Sequence, residues 1–188
     1  GKTTVLTLKV MQLLSEVISP PRGLACLTFS REAAREFQDR LKLLGLQKRN
    51  NVFLGTVHSF CLSEVLTPFA KLYPKYGVSY PIKIIPDSKR KKLFENIKRS
   101  IRTELTIGEM DKERLRDING ISNVSIPSYD IALKVAVLFE RELLALGYID
   151  YISMVKIATM LVQNESYVQR ALESKYPWIV IDEYQELG

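Results

Sequence analysis

Apolar residues recur at helical spacing over residues 3–18, at Val5, Leu6, Leu8, Val10, Leu13, Leu14 and Val17. Side chains three and four positions apart share one side of an α-helix, so this stretch predicts a helix with a single buried face. Pro20-Pro21-Arg22-Gly23 ends it, because proline has no backbone donor to continue the ladder. Leu24 to Phe29 is short and almost wholly apolar, and predicts a buried strand over 24–29. Ser30 is placed to cap a helix from Arg31 to about Leu44, and Gly45 to stop it. Val52-Phe53-Leu54-Gly55-Thr56 predicts another strand, and Val57 to about Ala70 another helix. Strand and helix in alternation predict a parallel sheet with crossover helices.

The pattern changes beyond residue 65. Pro68, Pro74, Gly77, Pro81 and Pro86 interrupt residues 68–86. Asp87 or Ser88 then caps a helix whose apolar stripe is Leu93/Phe94, Ile97, Ile101 and Leu105, with Lys91, Lys98 and Arg102 on the opposite face. A helix from about Ser128 to Leu146 follows a connection rich in Gly, Asn, Ser and Pro at 119–128. No strand alternation is visible over 87–147. Helical spacing returns at 151–163 and 165–174, and 178–182 reads as a closing strand. The chain therefore divides into the first part of an α/β core (1–64), an inserted helical subdomain (65–147) and a return segment of the core (148–188).

The chain has 188 residues, 46% of them apolar, ordinary for a globular protein. No apolar stretch approaches a membrane span. No charged-then-apolar leader opens the chain, so a cytoplasmic setting without membrane contact is expected. Cys26 and Cys61 lie in apolar surroundings without metal-ligand spacing and read as buried, reduced thiols. The formal net charge is +6. Lys83 to Arg102 holds eight basic residues against Asp87 and Glu95, so that segment alone nets +6. Such a concentration suits a polyanion, and it equally suits a solvated helix face; charge alone leaves both open.

The two ends carry the chemistry. Gly1-Lys2-Thr3-Thr4 has the form of the closing half of a phosphate-binding loop, in which Lys reaches the β/γ-phosphates and the Thr hydroxyl meets Mg²⁺. The first half of such a loop, and a strand before it, are expected upstream. Trp178-Ile179-Val180-Ile181 runs directly into Asp182-Glu183, and a carboxylate at the end of an apolar strand is the metal partner that such a loop needs.

The order of four segments is more specific than any one of them: Gly1-Lys2-Thr3-Thr4; Leu27-Thr28-Phe29-Ser30-Arg31-Glu32-Ala33-Ala34; Gly55-Thr56-Val57-His58-Ser59-Phe60; and Val180-Ile181-Asp182-Glu183-Tyr184-Gln185. Together they resemble the first RecA-like domain of the UvrD/Rep-like superfamily 1 DNA helicases, from the phosphate loop to the Walker B motif. The resemblance covers the whole chain. It implies an α/β fold: a RecA-like P-loop NTPase core with a parallel sheet and an inserted all-helical subdomain, similar to the family's 1B region. It also implies ATP and Mg²⁺ as cofactors, single-stranded and duplex DNA as partners, and a second RecA-like domain that supplies arginine fingers. The activity implied is that of a 3′-to-5′ DNA helicase or translocase, with residues 1–188 alone unable to unwind.

The resemblance gives each motif residue a role. Gly1, Lys2, Thr3 and Thr4 would hold the nucleotide, and Thr3 with Asp182 would hold Mg²⁺. Glu183 would be the base for the attacking water, and Gln185 would sense the γ-phosphate. Phe29, Ser30 and Arg31 would meet single-stranded DNA, with Thr56, His58 and Ser59 as a second contact. Structural alternatives stand beside these roles: Phe29 as a core residue, His58 as a loop holder, Arg35 as a surface residue, Cys61 as packing, and Trp178 as the buried opener of its strand. Ser30-Arg31-Glu32 departs from the family's usual Thr-Asn-Lys and sets an acid where a polyanion would pass. Ile149-Asp150-Tyr151-Ile152-Ser153-Met154 resembles the family's Asp-Phe-x-Asp-Leu stretch, but Ser153 replaces its second acid. Two other classes remain open: a P-loop ATPase acting on a partner other than nucleic acid, and a non-catalytic DNA-binding remnant.

Overall fold

The computed structural model describes residues 2–46, 51–116 and 129–182. They form a mixed α/β structure, mostly helical, around a sheet of three parallel strands. Two compact units are present: Gly1–Val65 with Leu161–Gly188, and Leu66–Met160.

In the first unit, α1 (Lys2–Gln12) leads through a π-helical turn at Leu13–Val17 towards β1 (Leu24–Thr28). After β1 come α2 (Arg31–Leu43), β2 (Val52–Thr56) and α3 (Val57–Phe60), which runs on as a π-helix over Cys61–Leu66. The second unit holds α4 (Thr67–Phe69), α5 (Asp87–Ile101), α6 (Ile107–Arg116) and α7 (Tyr129–Ala145). The boundary between the units falls inside α8 (Tyr151–Asn164), and α9 (Ser166–Lys175) and β3 (Trp178–Ile181) then complete the first unit.

Strand β1 is buried along its whole length and pairs with β2 on one side and β3 on the other. Val10, Leu13, Leu14 and Ile18 pack with Leu24 and Cys26 of β1 and with Phe37 and Leu41 of α2. At about 25 cal/mol per Å² of apolar surface, this burial is the main favourable contribution to the unit.

The structure departs from the sequence pattern in several places. The helix expected to run to residue 18 widens after Gln12, where the Ile18 amide donates to the Leu13 carbonyl five residues back, at 2.8 Å. The helix expected over 57–70 is continuous but changes its winding, to a π-helix at Cys61–Leu66 and back to an α-helix at Thr67–Phe69. Trp178, expected inside, is 44% exposed, since β3 is the outer strand of the described sheet and has a neighbour on one side only. Pro86, not Asp87 or Ser88, holds the cap position of α5, and it makes no side-chain bond. Asp87 sits instead in the first turn, where a carboxylate faces the positive end of the helix dipole. Arg102 is not on the face of α5. It closes the helix in the left-handed conformation, φ 57°. Lys98 is only partly outward and pairs with Glu104 at 3.6 Å.

Helix α6 was hidden within the segment read only as a helical insertion. Its signal is a capping box: the Thr106 amide donates to Glu109 Oε2 at 2.7 Å, and the Glu109 amide donates to Thr106 Oγ1 at 3.3 Å. The core that α6 joins comprises Phe94 and Ile97 of α5, Leu105 and Met110, and Val135, Phe139 and Leu143 of α7.

A buried ion cluster fixes the start of α8 within this unit. The Arg114 guanidinium, 2% exposed, donates to both Asp150 oxygens at 2.7 Å, and its Nε donates to Glu140 at 2.8 Å. Arg90 donates to the same Asp150 at 2.9 Å and also pairs with Asp111. Both guanidiniums lie near the Phe139 ring, 4.8 Å (Arg114) and 5.5 Å (Arg90) from its centroid. Asp150 also caps α8, accepting from the Ser153 amide at 2.9 Å and its hydroxyl at 2.6 Å, while Ser153 Oγ accepts from the Asp150 amide at 3.1 Å. Ser153, the departure from the family's acid, therefore completes a cap and adds no further charge to the cluster.

Burial alone would raise the Asp150 carboxyl, but hydrogen bonds and charge from Arg114 outweigh it and hold it well below the usual aspartate range. A depressed folded pKa gives stability that is complete above the ordinary value of 3.8 and is lost as pH falls through the lower folded value. Removing one member of a buried pair strands its partner, so Asp150→Ala is expected to cost about 3–5 kcal/mol. Urea unfolding at neutral pH checks this, and the difference between variant and parent should shrink as the buffer is acidified below the ordinary aspartate value.

Candidate nucleotide and DNA site

Because the strands are parallel, their C-terminal ends lie on one edge of the sheet. Register pairs Thr28 with Thr56 and Leu27 with Ile181. The residues that follow emerge together: Phe29 and Ser30 after β1, Val57 to Ser59 after β2, and Asp182 after β3. The Asp182 amide donates to the Leu27 carbonyl at 2.9 Å, so its backbone is held in the ladder at the point where the strand ends. Ligands of parallel α/β sheets bind beyond this carboxyl edge.

Phe29 is 55% exposed, which removes the alternative of a core residue. Ser30 caps α2, its hydroxyl oxygen accepting from the Ala33 amide at 3.0 Å. Arg31, Glu32 and Arg35 are exposed on the first turns of α2.

Thr56 caps α3 in a reciprocal arrangement with Ser59. Thr56 Oγ1 accepts from the Ser59 amide at 3.2 Å, and Ser59 Oγ donates to the Thr56 carbonyl at 2.8 Å. Gly55 is required beside this cap, since a Cβ there would come within 2.6 Å of Ser59 Oγ and 3.0 Å of the Phe53 ring. His58 is half-buried, and burial lowers its pKa from 6.5. Burial thus favours the neutral, hydrogen-bonding form of the imidazole.

Lys2 and Thr3 form the first turn of α1, and Thr4 is exposed, with Arg40 Nη1 3.5 Å from its hydroxyl. Gly1, Glu183 and Gln185 lie outside the described residues. Glu64, Lys175 and Tyr176, which the sequence does not mark, form a cluster that touches Phe60, the residue after the Thr56–Ser59 turn. Lys175 Nζ and the Tyr176 hydroxyl donate to Glu64 at 2.6 and 2.9 Å.

A parallel sheet, with a helix opening on Gly-Lys-Thr and a carboxylate at a strand end, defines a P-loop type of α/β domain. A family model described as the UvrD/REP helicase N-terminal domain matches residues 1–188, and the chain belongs to that family. It is 26% identical over 204 residues to the ATP-dependent DNA helicase Rep of Escherichia coli (strain K12), covering 99% of this chain and 28% of that protein. It is 24% identical over 197 residues to a probable DNA helicase II homolog of Rickettsia conorii, covering 99% of this chain and 30% of the relative. Against the ATP-dependent DNA helicase PcrA of Bacillus subtilis, identity is 22% over 196 residues, with 99% of this chain and 26% of the relative covered. The chain thus spans less than a third of the length of these curated relatives.

The cap at Thr56 yields a test. Gly55→Ala should displace Ser59 and lose the cap, lowering stability by about 0.5–2 kcal/mol. Ser59→Ala removes the obstructing hydroxyl, so the double variant should lose less than the sum of the two. Thermal unfolding of the three variants measures this coupling.

Proposed function

We propose that this chain is the ATP-binding part of an ATP-dependent DNA helicase or translocase that moves 3′ to 5′ on single-stranded DNA. One observation carries the reading. Within a chain of the UvrD/REP family, the exposed Phe29, the Thr56–Ser59 turn and Asp182 meet on the carboxyl edge of one parallel sheet. In this reading Gly1, Lys2, Thr3 and Thr4 hold the ATP phosphates at the start of α1, where the helix dipole favours an anion. The oxygen donors Thr3 and Asp182 suit Mg²⁺, which prefers hard oxygen ligands; when bound it neutralises phosphate charge. Glu183 takes the proton of the water that attacks the γ-phosphorus as the bond to the β-phosphate oxygen breaks, and Gln185 senses the γ-phosphate.

On the DNA side, Phe29 stacks on a base, and such contacts contribute about 1–3 kcal/mol whatever the base. Arg31, Thr56, His58 and Ser59 contact phosphate and sugar, and the Ser30 hydroxyl adds a donor beside its capping role. Lys91 and Arg102, exposed in the helical unit, contact duplex phosphates. Residues 1–188 alone unwind little or nothing, because a step along DNA needs a second RecA-like domain that closes on ATP. The setting is cytoplasmic, which suits two buried thiols, Cys26 and Cys61; no described helix is long and apolar enough to cross a membrane.

In the intact protein, Glu183→Gln should retain ATP binding and lower turnover by about 10²–10⁴-fold, while Lys2→Ala weakens both. Phe29→Ala should weaken single-stranded DNA binding by about 1–3 kcal/mol. Steady-state ATPase with and without oligo-dT, with fluorescence anisotropy for DNA, measures all three. An ATPase unmoved by single-stranded DNA would favour a partner other than nucleic acid; DNA binding without hydrolysis would favour a non-catalytic module. For the duplex side, replacing Lys91 and Arg102 by Gln should reduce the salt slope of duplex binding by about 1–2, near 0.9 for each phosphate no longer neutralised. An unchanged slope would leave them as a solvated face.

A further inference from the structure

We propose that Glu64 and Tyr176 are positioning residues: they clamp the segment bearing Thr56, His58 and Ser59 to the strand bearing Asp182, so that contact with DNA is felt at the nucleotide site. The proposal rests on the helicase reading and adds to it a route between the two halves of the site.

Phe60 and Glu64 are four residues apart and grip Tyr176 at two points. The Phe60 ring lies against the Tyr176 ring, with centroids 5.8 Å apart, and the Tyr176 hydroxyl donates to Glu64 Oε2 at 2.9 Å. Lys175 Nζ reaches the same oxygen at 2.6 Å and lies 5.1 Å from the centre of the Tyr176 ring. Both ends of this clamp are short leads to the site. Phe60 follows Ser59 directly, and Tyr176 lies two residues before β3, which ends against Asp182. The Lys175 carbonyl also accepts from the Gly23 amide at 2.7 Å, which ties the clamp to the start of β1.

The local backbone favours a mechanical role. Glu64 sits in the π-helix Cys61–Leu66, and such segments are rare and are found often at functional sites. The groups stay in the states that the clamp needs. Burial pushes the Tyr176 phenol up to about 12, with the Glu64 hydrogen bond acting in the same direction, so it remains a donor. Burial alone would raise Glu64, but the bonds from Lys175 and Tyr176 outweigh it and hold the carboxyl below its ordinary range.

The test uses the intact protein with Glu64→Gln, Tyr176→Phe and the double variant. Tyr176→Phe keeps the ring against Phe60 and removes only the hydroxyl. Basal ATPase without DNA, maximal ATPase with oligo-dT, the Kd for oligo-dT and the Tm are measured. The clamp predicts that maximal DNA stimulation falls by about three- to tenfold in each single variant. Basal rate and Kd stay within about twofold, and the double variant is no worse than the more affected single one. Full stimulation in both single variants overturns the proposal. So does a parallel loss of basal rate, DNA binding and Tm, since that is what a merely structural cluster would give. A wild-type ATPase that ignores oligo-dT overturns the helicase reading and the clamp together, and it is distinguished by appearing before any substitution is made.

Discussion

Strand β1 sets the geometry on which the rest of the site depends. Leu24 to Thr28 are buried on both faces and are hydrogen-bonded to a parallel neighbour on each side. A strand so enclosed has no freedom of register, because a slip of one residue would exchange its two buried faces and unpair both ladders. Fixing β1 therefore fixes the level at which Phe29, the Thr56 turn and Asp182 leave the sheet. Segments separated by more than a hundred residues arrive at a common edge through the two parallel ladders of β1.

The helical unit solves a different problem. Its core is apolar over α5, α6 and α7, yet it encloses Arg114 and Asp150 almost completely. Desolvating such charges is costly, and a hydrophobic replacement is often as stable. What the ions add is direction. The planar guanidinium of Arg114 engages Asp150 through two nitrogens and Glu140 through a third, which ties α6 and α7 to the start of α8 with fixed geometry. With Asp150 also acting as the α8 cap, the orientation of that helix at its start and the ion cluster cannot be changed separately.

Much of the fold was readable because backbone periodicity and capping are local. The alternation of apolar runs with helical spacing identified the parallel sheet, and Ser30 does cap the helix that follows it. What was unreadable depends on contacts distant in sequence or on small changes of winding. Nothing in Arg114 or Arg90 distinguishes a buried guanidinium from a surface one until Asp150 and Glu140 are brought beside it. The π-helical turns at 13–17 and 61–66 leave the apolar spacing nearly unchanged, so periodicity sees an unbroken helix. Trp178 is apolar in a strand and invites a buried assignment, but its exposure depends on its strand lying at the edge of the described sheet. At the candidate site, motif order puts Phe29, Thr56 and Asp182 at strand ends, and that is their position in the sheet. The Glu64–Tyr176 pair was not legible, since it joins positions 112 residues apart.

The basic segment shows how far a charge count can mislead about a surface. Residues 83–102 carry the whole formal excess of the chain. Yet Arg90 is spent internally on Asp150 and Asp111, Lys98 leans on Glu104, and Lys89 donates to the Tyr148 hydroxyl at 3.1 Å. The exposed cations Lys83, Lys91, Lys92, Arg99 and Arg102 are those that can face a polyanion without first breaking such a contact. At the strand-end edge, burial likewise disfavours a charge on His58, and Arg31 stands beside Glu32. In the helicase reading proposed above, a single strand at that edge would rely on stacking on Phe29 and on hydrogen bonds. Those interactions are short-ranged and would depend on the level of the strand ends, which β1 fixes.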